Sequence, residues 1–508
     1  MGQHLKNFGL CFLTALLITM SFPRLSLWPL AWIALIPFLR ALDGKTPAQG
    51  FRIGYCCGFL TFYGTLYWIL WVTEWFSVIA AIGVFTLYLY LSLYYAVFGW
   101  VYCRTERDEP LLRLFVLPAV WVVLEWLRGW LFSGFDWISL GHSQWRNLLS
   151  IQIADVTGVA GISFLIVMTN VFLHERRFAK RYVGYGLYVT LFAMFMAAHL
   201  AYGIIRWTEP LPEETWKVGI AQGNIEQDKK WQEFAWPMIM NNYHGLTEQL
   251  AASGPDMIIW PETSFPGILG EDDELFAKVE RLAFQVRTPL LVGAIEKRVE
   301  DYYNTVFIVG PDQVVHQQYD KIHLVPFGEF LPGRRFLGPL ADIVPIADFT
   351  PGREPTVFRY EGQPPFSVLI CFEDTVSRVA RPFVQRGARV LVNMTNDAWF
   401  KDTKAATLHM STALFRAVEN RRSLVRATNT GVSAAIDPRG RLLRYVKDEQ
   451  GRTIEVRGAM TVEVPLSDRR TFYTKFGNVF VFLCLLFILW TIWAKKTKIG
   501  FLNQNDSL

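Results

Sequence analysis

The chain opens on long apolar stretches separated by short polar ones, and the pattern holds to about residue 205. Apolar runs occupy residues 5–22, 25–39, 53–72, 78–102, 114–132, 158–173 and 183–205, and an eighth lies at 476–493. Each comes within reach of the roughly 20 residues a helix needs to cross hydrocarbon, the second and sixth being short. The first run leads into Phe22-Pro23-Arg24 without a small-residue cleavage site. Further spans follow at once, so it reads as a retained helix and not a signal peptide. A polytopic helical bundle of about eight membrane helices is expected.

Between about residues 216 and 466 the pattern becomes that of an ordinary globular domain. Short apolar runs at 217–225, 257–260, 290–295, 305–309, 367–371 and 390–393 predict buried strands. Stretches at 233–250, 271–286, 375–385 and 404–420 predict helices between several of them. Strands alternating with helices argue for an α/β domain with a single core. The Pro- and Gly-rich segment 331–355 reads as a long loop, a feature that in compact domains is functional or mobile. There is no internal repeat and no low-complexity stretch. The expected organisation is a membrane domain of seven helices over 1–206, an extramembrane α/β domain over 215–466, an eighth membrane helix over 472–495 and a tail over 496–508.

Composition sharpens this picture. Of 508 residues, 52% are hydrophobic and only 19% charged, against about 25% charged in an average globular protein. Such a chain cannot cover a soluble surface, and disordered, collagen-like and coiled-coil classes are excluded with it. The net charge of +5 is too mild to point to nucleic acid. The basic residues follow a topology instead. Lys6; Arg40, Lys45 and Arg52; Arg104, Arg107 and Arg113; Arg176, Arg177, Lys180 and Arg181; and Lys495, Lys496 and Lys498 fall on one side. The other side offers Arg24, Arg128 and Arg146. Both termini are therefore expected in the cytoplasm and the α/β domain outside it. Within the fifth span, Glu125 and Arg128 lie three residues apart, a spacing that allows an ion pair on one helix face. Intramembrane charge is a functional candidate by default, and a structural pair at the membrane rim is the plainer reading.

Five of the six cysteines fall in or at the edge of spans, and Cys371 alone belongs to the outer domain. It has no intradomain disulfide partner. It ends the run Phe366-Ser367-Val368-Leu369-Ile370-Cys371 and precedes Phe372-Glu373-Asp374-Thr375, which reads as a helix entry. A thiol at a strand end facing a helix N-terminus has its thiolate favoured by the dipole; the same residue also fits as a small buried hydrophobe. A thiol nucleophile needs a base and an oxyanion donor. Glu262 in Trp260-Pro261-Glu262 and Lys321 in Tyr319-Asp320-Lys321-Ile322-His323 sit at comparable strand ends, although each alone also suits a solvated surface. The outer histidines His244, His316, His323 and His409 show no metal-ligand spacing. A Cys-His dyad through His323 stays open.

Taken in order, Glu in Trp-Pro-Glu, Lys in Tyr-Asp-Lys-Ile-His-Leu-Val-Pro-Phe-Gly-Glu and Cys in Leu-Ile-Cys-Phe-Glu resemble the Glu–Lys–Cys triad of the nitrilase superfamily. With the membrane spans on both sides, the whole chain is similar to the apolipoprotein N-acyltransferase family. Further matching stretches are Ala221-Gln222-Gly223-Asn224-Ile225, Lys230-Trp231, Asn396-Asp397-Ala398-Trp399-Phe400, Thr428-Asn429-Thr430-Gly431, Glu125-Trp126-Leu127-Arg128-Gly129 and Gly141-His142-Ser143-Gln144. Two positions depart from the family: Phe372 stands where Tyr is common, and Lys401 where Gly is common.

The resemblance implies an α-β-β-α sandwich for the outer domain and a bacterial inner-membrane location, with that domain in the periplasm. It implies Cys371 as nucleophile, Glu262 as general base and acid, and Lys321 as oxyanion stabiliser beside the Phe372 N–H. Glu262 would then need an apolar pocket to raise its affinity for the thiol proton. Glu329 would orient Lys321, and Glu373 would organise the nucleophile loop. Trp231 and Trp399 would line the acyl or headgroup site, a role that core aromatics would mimic in sequence. The implied reaction takes an acyl chain, the sn-1 chain of phosphatidylethanolamine, onto Cys371 as a thioester. The amine of a diacylglyceryl-cysteine at an apolipoprotein N-terminus then receives it. No metal or organic cofactor is implied, and a monomer is expected. A tethered amidase hydrolysing small C–N substrates is the alternative. A transporter or receptor ranks behind both, because the spans carry little charge and no inverted repeat.

Overall fold

The apolar runs fold into helices, and seven of them, among the described residues, are long and apolar enough to cross a membrane: Gly2–Ser21, Pro47–Trp71, Ala80–Arg104, Pro110–Arg128, Val159–Ala179, Tyr185–Thr208 and Val479–Thr497. The computed structural model describes residues 2–105, 109–334 and 348–505, without the side chains of 72–79 and 498–505. Arg107 and much of the expected loop at 331–355 thus lie outside the described residues. The chain forms two units, one of residues 1–67, 82–208 and 476–508, the other of Trp68–Ala81 and Glu209–Lys475.

In the first unit the expected second span is not one continuous helix. A 3-10 turn Trp28–Trp32 and a helix Ile36–Leu42 take its place, each with a proline in its first turn. A proline fixes φ and supplies no N–H, so each starts a new helical segment and the two do not merge. Elsewhere the helices pack through small residues. A Cβ added to Gly54 would lie 2.3 Å from the Tyr95 carbonyl oxygen, and one on Gly50 2.4 Å from that of Gly99. Such close backbone approach is how membrane helices associate when apolar burial gives no advantage over lipid.

Glu125 and Arg128 do not form the ion pair their spacing allows. The Trp121 indole and the Leu140 N–H both donate to Glu125 Oε1, at 2.8 and 2.7 Å. Arg128 donates to the Trp137 carbonyl oxygen and Ser139 Oγ, both at 3.1 Å. The segment after the helix folds back over its last turn and offers each charge a nearer partner.

The second unit holds two sheets. The first runs β12-β1-β2-β4-β5-β6, with β3 also on β4: β1 is Thr215–Gln222, β2 Met257–Ile259, β3 Ile268–Leu269, β4 Leu290–Arg298, β5 Asp301–Val309, β6 Val315–Asp320 and β12 Gly458–Pro465. The second runs β11-β10-β9-β8-β7, where β7 is Phe366–Ile370, β8 Val390–Thr395, β9 Ser423–Thr428, β10 Ala434–Ile436 and β11 Leu442–Tyr445. The parallel strands β2, β7, β8 and β9 are buried at every residue. Strands covered on both faces read in sequence as unbroken apolar runs, which is why most were legible.

Helices Trp236–Ala251 and Asp273–Val286 cover the first sheet, packing Tyr243, Leu250, Val279 and Leu282 onto Ile258, Trp260, Leu290 and Phe307. Helices Ser377–Gln385 and Ala405–Asn420 pack on the second. The sheets face one another, and Thr428 of β9 donates to Gln222 of β1 at 3.4 Å. The result is the α-β-β-α sandwich. It places the ends of β2, β6, β7 and β8 in one region.

Candidate active site

Three of those strand ends carry the expected residues. Trp260, Pro261 and Glu262 follow β2, Lys321 follows β6, and Cys371 follows β7. Glu262, Lys321 and Glu373 are buried, and Cys371 is partly exposed. Cys371 has φ of +52° at the start of the turn Cys371–Thr375. That left-handed backbone lifts the thiol out of the strand direction at a cost of about 1–2 kcal/mol. Asn393 of β8 ties the turn down by donating to the carbonyl oxygens of Leu369 and Cys371, at 3.0 and 3.2 Å.

The Glu262 carboxylate does not lie in the apolar pocket expected for it. It accepts from Asn304 Nδ2 on Oε1 and from the Asn396 N–H on Oε2, each at 2.8 Å, and the Lys321 ammonium stands 3.8 Å from Oε1. Polar donors thus fix its orientation. Lys321 in turn lies 2.8 Å from Glu329. Asn304 also donates to Glu329 at 3.0 Å, and the Val325 N–H binds the other oxygen of Glu329 at 2.8 Å.

Burial alone would push Lys321 toward its neutral form. The charges of Glu329, Cys371 and Glu262 outweigh it and hold the ammonium above its ordinary range. For Cys371, desolvation and then the Glu262 charge push the thiol well up, while Lys321 pulls it back. Together these influences favour the thiol of Cys371 over its thiolate.

Glu373 fastens the Cys371–Thr375 turn to the loop after Lys321. Its carboxylate accepts the N–H groups of Ile370, Ile322 and His323 at 2.7–3.0 Å and the Tyr319 hydroxyl at 2.8 Å. Desolvation raises its carboxyl to about 7 against these donors. Phe372 stacks on His323, with ring centroids 5.8 Å apart and planes 16° apart. Burial pushes His323 down to about 4, so its imidazole is neutral, and the ring serves as an aromatic surface.

Comparison with known proteins gives the family. A profile described as the apolipoprotein N-acyltransferase N-terminal domain matches residues 14–172, and a carbon-nitrogen hydrolase profile matches residues 217–472. The apolipoprotein N-acyltransferase of Geobacter metallireducens is 37% identical over 495 residues, which cover 94% of this chain and 93% of the relative. The chain belongs to the apolipoprotein N-acyltransferase family. That of Methylococcus capsulatus is 35% identical over 424 residues, covering 80% of this chain and 81% of the relative. A solved amidase from Nesterenkonia sp. aligns with 51% of this chain and 94% of its own at 17% identity and a TM-score of 0.38.

Against the family pattern, Lys401 takes φ of +48°, a backbone that glycine adopts without strain, and its ammonium lies 5.6 Å from the Trp71 ring centroid. Trp231 is 46% exposed, so it is no core aromatic. Trp399 lies in the short turn Asp397–Phe400, partly exposed.

Four further groups at this acyltransferase-family site were given no role by the sequence. Asn304 and Asn396 hold Glu262, and Lys230, from the turn Gln227–Lys230, donates to the Glu262 carbonyl oxygen at 3.2 Å and to Thr263 Oγ1. The fourth is a buried charge network. His409 gives both ring nitrogens to carboxylates, Nδ1 to Asp397 and Nε2 to Asp374, each at 2.8 Å, and Arg426 binds the same two aspartates. It joins the Cys371–Thr375 turn to the segment that carries Asn396. An asparagine inside an apolar strand such as β5 was the one signal available for Asn304; Lys230 and Asn396 stand in stretches that match the family, but their contacts, like the His409 network, need the fold.

Proposed function

We propose that this protein transfers an acyl chain from a phospholipid to the N-terminal amine of diacylglyceryl-cysteine in apolipoproteins, with Cys371 as nucleophile, Glu262 as general base and acid, and Lys321 as oxyanion stabiliser. The observation that carries this reading is the meeting of Glu262 and the Lys321 ammonium at 3.8 Å in the electrostatic reach of Cys371, in a chain of the acyltransferase family. In the first half, Glu262 takes the Cys371 thiol proton as Sγ attacks an ester carbonyl of the donor. The ester's carbonyl oxygen becomes negative next to the fixed positive charge of Lys321 and the Phe372 N–H, donors already in place for that charge. Collapse releases a lysophospholipid, which receives the proton from Glu262, and leaves a thioester. In the second half the acceptor amine attacks that thioester.

Both substrates are anchored in lipid, which gives a reason for a hydrolase-like sandwich to be carried on apolar helices. The sn-1 chain of phosphatidylethanolamine is the proposed donor and the inner membrane of a bacterium the proposed location. The protein acts there as a monomer, with the sandwich over 215–466 in the periplasm and both termini in the cytoplasm. The charge asymmetry supports this orientation, provided that the broken helix Trp28–Leu42 also crosses. Trp231 and Trp399 are assigned to the acyl or headgroup surface.

The test is incubation of purified protein with phospholipid and no acceptor, followed by mass measurement of the peptide around Cys371. A hydroxylamine-labile acyl adduct that a diacylated lipopeptide discharges as amide is expected, and Cys371→Ala should abolish both. Turnover of small amides without any such adduct would overturn the reading in favour of an amidase.

A further inference from the structure

The transfer half-reaction has a proton that the triad does not accommodate. An N-terminal amine has an ordinary pKa of about 7.7–8.0 and arrives largely as the ammonium near neutral pH. Converting R–NH3+ and the Cys371 thioester into an amide and a thiol forms one C–N bond and breaks one C–S bond. Two N–H protons leave the nitrogen. One passes through Glu262 to the departing Sγ. The other must leave before attack, since an ammonium has no lone pair, and Glu262 holds one proton at a time.

A second acceptor stands against the same strand end. Lys230 is buried, at 4% exposure. Its Nζ has two hydrogen-bond acceptors among the described residues, the Glu262 carbonyl oxygen at 3.2 Å and the Thr263 hydroxyl. Two acceptors satisfy the two N–H groups of a neutral amine and leave its lone pair unused; an ammonium would keep one proton without an acceptor. The contrast with Lys321 is direct, because that ammonium lies among the carboxylates of Glu329 and Glu262. Lys230 also lies 5.9 Å from the ring centroid of Trp231, which is half exposed, so the amine stands between the buried Glu262 and a side chain that meets solvent.

Resting on the acyltransferase reading above, we propose that Lys230 is the base that removes the first proton from the acceptor ammonium in the transfer half-reaction, while Glu262 carries the second to Cys371. The neutral Lys230 amine takes that proton, becomes an ammonium, and returns it to water past Trp231 when the product has left. Its electrostatics suit the task. Desolvation brings Lys230 down to about 8, opposed by the charges of Glu262 and Cys371, the two ionisable groups that act on it.

The test separates the half-reactions in one sample. Lys230→Met protein is acylated with phospholipid, the adduct is quantified by mass, and transfer to a diacylated lipopeptide is timed between about pH 6 and 9.5. General-base help is worth about 10²–10⁴-fold, so transfer near pH 7 should fall about 100-fold, at least tenfold more than acylation falls. The deficit should shrink as rising pH deprotonates the acceptor without assistance. Lys230→Arg keeps a cation that cannot give up its proton and should not restore transfer. Three results overturn the proposal: a Met variant with wild-type transfer and pH profile, one whose acylation falls as far as its transfer, or rescue by arginine. Wild-type protein that forms no adduct at all refutes the acyltransferase reading itself, a failure visible before any variant is made.

Discussion

The Lys321 ammonium and the Glu329 carboxylate are 2.8 Å apart, and the lysine side chain is 1% exposed. Removing one member of a buried pair strands the other charge, a loss of about 3–5 kcal/mol. Glu329→Gln should therefore slow acyl-enzyme formation by at least about 100-fold and lower the thermal midpoint, with binding of phospholipid little altered. Single-turnover acylation and a melting curve in detergent check this. A wild-type acylation rate would show that Glu262 alone holds Lys321 in place.

Asn304 shares one amide nitrogen between Glu262 and Glu329. Asn304→Leu fills the same volume without the donor and leaves the buried Glu262 and the partly buried Glu329 each short of a partner. An unmade buried hydrogen bond costs about 1–3 kcal/mol. The rate of acylation should fall about 10–100-fold, and KM for the phospholipid should stay near wild type. A change confined to KM would assign Asn304 to the substrate instead.

Much of the architecture was legible because burial writes itself into composition. β7 and β8 are closed on both faces and appear as plain apolar runs, and the covering helices show their own spacing. The broken helix Trp28–Leu42 was less visible, since a hydropathy window averages over Pro29 and Pro37 where the backbone does not. In the site, Glu262, Lys321 and Cys371 stand in short motifs at strand ends, and Glu329 and Glu373 lie in the same motifs. The remaining supports were given no role by the sequence. Asn396 acts through its backbone N–H, Lys230 through a turn remote in sequence, and His409 through aspartates on two other segments. Such contacts carry no local pattern. The Glu125–Arg128 pair failed for the opposite reason: the spacing was right, but the fold supplied nearer partners.

Protonation of His409 holds the Asp374–Asp397–Arg426 network together. Burial opposes its charge, but the two aspartates prevail and raise the imidazole from 6.5 to about 9. A raised folded-state pKa gives stability that is fully present below the unfolded value and lost as pH rises through the folded one. The network should thus contribute in full below about pH 6.5, decline between 6.5 and 9, and give nothing above. A shift of this size corresponds to about 3 kcal/mol at about 1.4 kcal/mol per unit. The thermal midpoint should drop by several degrees across that window, and His409→Gln should melt lower at pH 6 with the slope flattened. An unchanged slope in the variant would place the titrating group elsewhere.

The proposed orientation requires Trp28–Leu42 to cross, although at about 1.5 Å per residue it reaches about 22 Å against a hydrocarbon core of about 30 Å. Single cysteines at Arg24 and Lys45, in a protein whose native cysteines are replaced by serine or alanine, should react with an impermeant maleimide from opposite sides. Labelling of both from one side would make the segment re-entrant and place the N-terminus on the same face as the sandwich.

The left-handed backbone at Cys371 also limits which elements of the periodic table this position can present. A γ-branch on Cβ crowds the carbonyl in that conformation, so threonine is excluded and serine is the one proteinogenic alcohol that fits without moving the turn. An alcohol is thus one atom away from this position. The strand-end geometry therefore rules out a β-branched side chain here and leaves sulfur against oxygen to the chemistry of the atom itself.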